Sequence, residues 1–241
     1  LSTASPSLLT PHGFNPSKPF LSDGDILCAW WIRHLVTAQP AAPFFSPKKT
    51  IHIMNLLDMR DALSTTAPSL LRPTLTHAYI GNCALNISSF WDYADFASAP
   101  LGHLAARIRA DLVAQKTRAQ IDAHWRLARP AVRKTGHLVL YGEADMLLCA
   151  FSNWQKGTPF DTDFGAAVEE GAGGGAGRKV VARPSYVSTD GKARGLVSVR
   201  NSGVCSGRDE KGNWWVGACL TPEAWAGVER ALREMDEVDA Y

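Results

Sequence analysis

The change of hydrophobic period between Ser22 and Asp58 constrains this chain more than any other feature. After Ser22-Asp23-Gly24-Asp25, the residues Ile26, Leu27, Trp30, Trp31 and Leu35 recur at helical spacing, which makes one face of a helix apolar and strongly aromatic. Ser22 with Asp25 three residues later has the form of a capping box, in which side-chain oxygens accept from N–H groups that the helix leaves unpaired. From Thr50 to Asp58 the sequence TIHIMNLLD alternates instead, with Ile51, Ile53 and Asn55 on one side, the period of a strand. Arg60 then opens a polar turn.

Further along, a strand is predicted over Tyr79–Ile87. Leu101, Leu104, Ala105, Ile108 and Leu112 form the stripe of an amphipathic helix that starts after Pro100 and continues toward Trp125, ahead of Pro130. Strands are predicted over Asp145–Ser152, Val180–Val187, Leu196–Arg200 and Trp214–Leu220. Thr221 caps a last helix with Pro222 at its first position, and Trp225, Val228, Leu232 and Met235 make up its buried stripe. Helices mixed with strands, without strict alternation, imply an α/β fold with a mixed, partly antiparallel sheet flanked by helices. Residues 1–21 are rich in Ser, Pro and Thr and read as a linker or crossover segment, with 22–241 as the folded domain. An opening on Leu1 rather than methionine fits a processed or cut product. The run GAGGGAG at 171–177 lacks Gly-x-Gly-x-x-Gly, and Arg178-Lys179-Val180 follows where a P-loop needs Lys and then Ser or Thr, so it is expected to be a flexible surface loop.

Composition narrows the function. A net charge of +2 with scattered basic residues argues against nucleic acid and acidic membranes as partners. No apolar run approaches the roughly 18 residues needed to span a bilayer. The five cysteines are widely spaced, lack a Cys-x-x-Cys pair and sit mostly in apolar runs, as expected of buried free thiols in a reducing, cytoplasmic setting. None of the seven histidines lies at metal-ligand spacing from another ligand, so no metal site is expected. His34, His103 and His124 fall in predicted helices and His52 in a strand, where structural roles are the default. There is no Gly-x-Ser-x-Gly elbow, and no evident general base.

The stretch FSNWQKGTPFDTDFGAA, from Phe151, stands apart. A strand ending in Ser152-Asn153-Trp154 presents a hydroxyl, an amide and an indole N–H at its edge, groups able to line a pocket. Asp163 follows among apolar residues, where a carboxylate needs a cation or several backbone donors, and Arg60 is a candidate cation. The other reading makes Trp154 and Phe164 core aromatics and Asp163 a turn cap. On residue types both stay open.

The segment Phe151–Gly165 resembles the C-terminal signature of the BAHD family of acyl-CoA-dependent acyltransferases, in which a Ser/Thr-x-Trp strand leads into a turn and Asp-Phe-Gly-Trp-Gly. Ser22-Asp23-Gly24-Asp25-Ile26-Leu27-Cys28-Ala29-Trp30 is similar to the helix that opens the family's second domain. Asn55-Leu56-Leu57-Asp58-Met59-Arg60 is similar to its Asp-x-Arg strand end, and Tyr79-Ile80-Gly81-Asn82 to its Tyr-x-Gly-Asn. The blocks occur in the family's order and look nearest to the fungal branch that includes trichothecene 3-O-acetyltransferases. The resemblance implies the C-terminal half of the two-domain chloramphenicol acetyltransferase-like fold, with acyl-CoA as co-substrate and a small-molecule hydroxyl or amine as acceptor. It implies that Asn82, Ser152 and Trp154 line the substrate site, and that Asp163, Phe164 and Gly165 form a structural motif in which Asp163 pairs with Arg60. Ala166 and Ala167 replace the last Trp and Gly of the signature. The family's catalytic His-x-x-x-Asp is absent, since no histidine here has Asp four residues later. No catalytic residue is therefore expected in this chain. The general base, typically a contribution of about 10²–10⁴-fold, is expected on an N-terminal half as a separate chain or a missing segment. The alternatives are a non-catalytic module that binds CoA or a small molecule, and a relative of nonribosomal condensation domains.

Overall fold

A computed structural model of the chain describes residues 20–40, 42–65, 81–137, 139–167, 181–187 and 200–239. Most of the predicted linker, the 171–177 glycine run, and Tyr79 and Ile80 lie outside these residues. The chain divides into two compact units, Leu1–Ala150 with Thr221–Tyr241, and Phe151–Leu220. The first holds α1 (Asp23–Thr37), β1 (Thr50–Asp58), α2 (Arg60–Thr65), β2 (Ala84–Asp92), α3 (Tyr93–Ser98), α4 (Leu101–Gln115), α5 (Arg118–Thr135), the start of β3 (Leu147–Asn153), and α6 (Pro222–Asp239). The second holds the end of β3, then β4 (Ser202–Arg208) and β5 (Trp214–Cys219). Strand neighbours run β2-β1-β3 in the first unit and β3-β4-β5 in the second.

In the first unit β1 and β2 pair antiparallel from Thr50 opposite Asp92 to Asp58 opposite Ala84. The capping box forms as predicted. Ser22 Oγ accepts the Asp25 N–H at 3.2 Å, and Asp25 Oδ2 accepts the Ser22 N–H at 2.8 Å. The apolar stripe of α1 buries Trp31, Ile32, Leu35 and Val36, and α4 packs against it with Leu104, Ala105 and Ile108. Ile51 and Ile53 of β1, Ile87 of β2 and Phe96 of α3 complete a core in which each such side chain contributes about 1.5–3 kcal/mol relative to exposure. Trp225 of α6 meets Trp31 edge-on at 6.2 Å.

In the second unit β4 and β5 pair antiparallel from Ser202 opposite Cys219 to Arg208 opposite Trp214, with a bulge between Cys205 and Gly207. Phe151, Phe160 and Cys205 are buried, and Trp215 lies between Phe160 at 6.1 Å and Tyr186 at 5.3 Å.

Several elements depart from the sequence prediction. The polar turn at Arg60 is the short helix α2. The strand predicted over Tyr79–Ile87 is β2, displaced to Ala84–Asp92. Its buried face reads Leu85, Ile87, Ser89 and Trp91, so a serine interrupts the apolar alternation that would have revealed it. The helix after Pro100 stops at Gln115, because Thr117 begins a new one by accepting the Gln120 N–H. α5 then runs through Pro130. The carbonyl of Arg126, which loses its partner there, belongs to an exposed residue that water can serve. Described residues 181–187 form no strand, consistent with Pro184 lacking the ladder donor. Residues 196–199 of the strand predicted to end at Arg200 lie outside the described residues, and Arg200 itself lies in a turn; β4 was hidden by its run of small residues. On α6, Val228 is buried, but Leu232 and Met235 are 37% and 41% exposed, so the predicted stripe is covered only over its first turns. No helix among the described residues is long and apolar enough to cross a membrane.

Candidate functional site

β3 delivers the strand end singled out above. Phe151 anchors it in the core of the second unit, and the next residues turn outward. The Trp154 N–H donates to the Cys205 carbonyl at 2.8 Å, which ties the strand end to the β4 bulge. Asn153 Oδ1 accepts the Gln155 N–H at 2.9 Å and starts a 3-10 turn over Gln155–Gly157. The indole Nε1 of Trp154 donates to Ser152 Oγ at 2.9 Å. The hydroxyl proton of Ser152 is left available to a ligand oxygen, and donation into its oxygen makes it a better donor. Trp154 is 48% exposed and Phe164 53%, so neither is a core aromatic.

Asp163 is exposed, contrary to the apolar setting its neighbours suggested. Its Oδ1 accepts the N–H of Gly165 at 2.8 Å and of Ala182 at 3.2 Å. The Phe164 N–H donates to the Ala182 carbonyl at 2.7 Å, so Asp163, Phe164 and Gly165 fasten the 181–187 segment to the turn after β3.

Arg60 and Asn82 come together at one end of the β1–β2 pair in the first unit. The Arg60 guanidinium bonds Asp58 at 2.8 Å and the Gly81 carbonyl at 3.1 Å. Asn82 Oδ1 accepts the Ala84 N–H at 3.2 Å and starts β2. Arg60 thus clasps the segment that presents Asn82.

Sequence reasoning missed Gly207, whose φ of +115° shapes the bulge behind Trp154, and no sequence signal marks it. It placed Asn55 on the buried face without its partner: the Cys28 thiol donates to Asn55 Oδ1 at 3.3 Å. Burial pushes Cys28 up to about 12, Asn55 opposing, and raises Cys149 as well, so both thiols are protonated and unreactive at neutral pH. Cys28, Cys83, Cys149 and Cys205 are buried free thiols, whereas Cys219 is exposed. Burial also lowers His34, His52 and His124, which favours their neutral forms. His52 Nε2 lies 2.9 Å from Ser88 Oγ and its ring stacks on Phe90, a structural arrangement. No group of metal-ligating side chains occurs among the described residues.

No family profile matches the chain. It is 33% identical over 227 residues to the transcriptional regulator sdnM of Sordaria araneosa, covering 91% of this chain and 43% of that protein. It is 31% identical to the acetyltransferase adrJ of Penicillium roqueforti, covering 96% of this chain and 45% of that protein. Among solved structures it superposes on F. sporotrichioides TRI101 complexed with coenzyme A and T-2, with a TM-score of 0.58 and 17% identity, over 93% of this chain and 47% of that one. The chain is thus similar in sequence to fungal acetyltransferases, and its fold is that of the TRI101 and vinorine synthase structures, the mixed α/β chloramphenicol acetyltransferase-like fold. It spans less than half the length of these relatives.

Proposed function

We propose that this chain is the C-terminal half of a CoA-dependent acyltransferase that moves an acyl group from acyl-CoA to a hydroxyl or amine of a small molecule. What carries the reading is the exposed Trp154–Ser152 pair at the end of β3, in a chain matching under half of a fungal acetyltransferase. In the proposed reaction the acceptor loses its proton to a histidine on the N-terminal half and attacks the thioester carbonyl. The tetrahedral oxyanion then collapses and expels CoA as thiolate. Ser152, with its hydroxyl oriented by Trp154, and Asn82 donate to oxygens of the acceptor or of the oxyanion. Donors aimed at developing charge are worth about 10²–10³ in turnover. Arg60 and Asp163 act structurally, as a pair holding the two motif ends. The partners are then the N-terminal half and the small-molecule acceptor, in a cytoplasmic setting that suits buried free thiols.

A second reading, a non-catalytic module that binds CoA or a small molecule, is favoured by the lack of His-x-x-x-Asp in the 241 residues. Intact mass spectrometry of the protein purified from its source, under native and denaturing conditions, separates the two. The acyltransferase reading expects a longer polypeptide, or a second one bound under native conditions, that carries His-x-x-x-Asp. This chain alone, with no such motif in the native assembly, would overturn it in favour of the second reading.

A further inference from the structure

The turn that follows Trp154 holds a residue in a conformation its own side chain opposes. Thr158 has φ +41° and ψ +50°, in the left-handed region. Thr158 and Asn201 are the non-glycine residues with positive φ among the described residues, and asparagine tolerates that region whereas a β-branched side chain does not. Pro159 adds a second penalty, because a proline ring pushes the residue before it toward extended backbone. Gly157 has no positive φ, and a Cβ there would meet nothing within 4 Å, so the glycine of this turn does not sit where the backbone needs one.

The surrounding structure enforces the conformation. Thr158 joins two 3-10 turns, Gln155–Gly157 and Pro159–Asp161: its N–H donates to the Gln155 carbonyl at 3.0 Å, and its carbonyl accepts the Asp161 N–H at 2.9 Å. The Trp154 N–H on the Cys205 carbonyl ties the first turn to β4, and the buried Phe160 anchors the second. Gln155, Pro159 and Phe160 all pack around Gly207 at the β4 bulge. Backbone strain persists only where neighbours over-determine it in this way.

The side chain that causes the strain gives nothing back within the chain. Thr158 is exposed, and its hydroxyl makes no hydrogen bond among the described residues. Glycine would adopt the same backbone without penalty. The return for threonine therefore lies with a molecule that binds here, and the turn opens at the candidate site itself, where the Trp154 carbonyl accepts the Gly157 N–H at 2.8 Å.

We propose that Thr158 is a specificity-determining residue of the site at the end of β3: its hydroxyl donates to an oxygen of the small-molecule acceptor, and the left-handed turn holds it toward that molecule. The inference rests on the acyltransferase reading and extends the acceptor contacts beyond Asn82, Ser152 and Trp154. Exposed at the rim of the turn, Thr158 meets the acceptor away from the reacting atoms and sets affinity rather than rate.

The test compares wild type with Thr158→Val, Thr158→Ser and Thr158→Gly in this chain joined to the N-terminal half that the proposal expects. Thiol release from acetyl-CoA is followed with whichever acceptor of a hydroxyl and amine panel turns over fastest. Valine keeps the β-branched shape and removes the hydroxyl, so the acceptor KM should rise about 5–10-fold, one hydrogen bond's worth, with kcat within about twofold. Serine keeps the hydroxyl and should leave KM within about twofold of wild type. Glycine removes the strain: the Tm of this chain, read by circular dichroism, should rise by about 2–6 °C while KM rises at least as far as with valine. A KM unchanged by valine, or raised equally by serine, would overturn the contact, and a glycine variant no more stable than wild type would overturn the strain behind it. Absence of thiol release from wild type with every acceptor removes the acyltransferase reading and this contact with it. Release by wild type, with a valine variant of the same kinetics, removes the contact alone.

Discussion

Gly207→Ala should damage the scaffold behind Trp154 through backbone conformation rather than crowding. Gly207 has φ +115°, beyond even the small left-handed region that other residues visit, and it sits at the bulge where β4 slips against β5. A Cβ placed there would lie 3.8 Å from the Gln155 Cα, 3.8 Å from the Phe160 ring and 4.0 Å from the Pro159 Cδ, all ordinary contact distances. Those contacts return at most a few tenths of a kcal/mol, since one carbon pair is worth about 0.1–0.2 kcal/mol. Holding alanine in such a conformation costs about 1–3 kcal/mol, against which a Gly→Ala change recovers about 0.4–1 kcal/mol of unfolded-state entropy. The net is a loss of about 1–2 kcal/mol, or roughly 2–8 °C in Tm for a chain of this size. Because the Trp154 N–H donates to the carbonyl of Cys205 across the same bulge, its amide should also exchange faster with solvent. Thermal denaturation by circular dichroism, with hydrogen exchange read at Trp154, checks both. A Tm within about 1 °C of wild type, well below the shift that 1 kcal/mol gives, together with unchanged Trp154 protection, would refute the reasoning.

Three further outcomes are expected. Gly227→Ala on α6 would place a Cβ 2.7 Å from the Ala38 Cβ and 3.1 Å from its Cα. Overpacking of about 1–3 kcal/mol should then outweigh the roughly 1 kcal/mol helix-propensity gain, and adding Ala38→Gly should recover part of the lost Tm. Asp163→Ala removes the acceptor of two backbone N–H groups and should cost about 1 kcal/mol in chemical denaturation. Asp163→Asn keeps an acceptor oxygen and loses only the charge. The proposed pairing with Arg60 requires a loss as large as alanine's, and recovery of most of the stability by asparagine would exclude that pairing. Asp209, in the β4–β5 turn, is lowered to about 2, first by the hydrogen bond from the Trp215 indole and then by those from Asn213 and Lys211. A depressed carboxyl adds stability above its unfolded value of 3.8 and gives it up as pH falls through about 2. The Tm of wild type should therefore drop more steeply over that window than that of Asp209→Asn, and parallel curves would contradict it.

Local chemistry was legible where one residue type dictates one geometry. Ser22 and Asp25 announced the start of α1, and the alternation of TIHIMNLLD gave the limits of β1, because capping and period-two burial both act within a few residues. The break between α4 and α5 was in principle readable, since Thr117 followed by Gln120 is a start signal. Pro130 drew attention away from it, although a proline whose freed carbonyl faces water does little harm. β2 and β4 were obscured because Ser89 and the small residues of Ser202–Arg208 owe their burial to neighbours distant in sequence. At the candidate site, Ser152 and Trp154 stood out as residue types at a strand edge. Their mutual hydrogen bond, and the dependence of Trp154 on the Cys205 carbonyl, follow only from the approach of β4.

Release of free thiol from acetyl-CoA, followed with a panel of hydroxyl and amine acceptors and with this chain joined to the N-terminal half that the proposal expects, tests the acyltransferase proposal most directly when wild type is compared with Trp154→Ala. Acyl transfer at the Ser152–Trp154 strand end predicts acceptor-dependent thiol release in wild type and a fall of about 10²–10³-fold in the variant, with the fold preserved. No release with any acceptor, or equal rates in the two proteins, would contradict it.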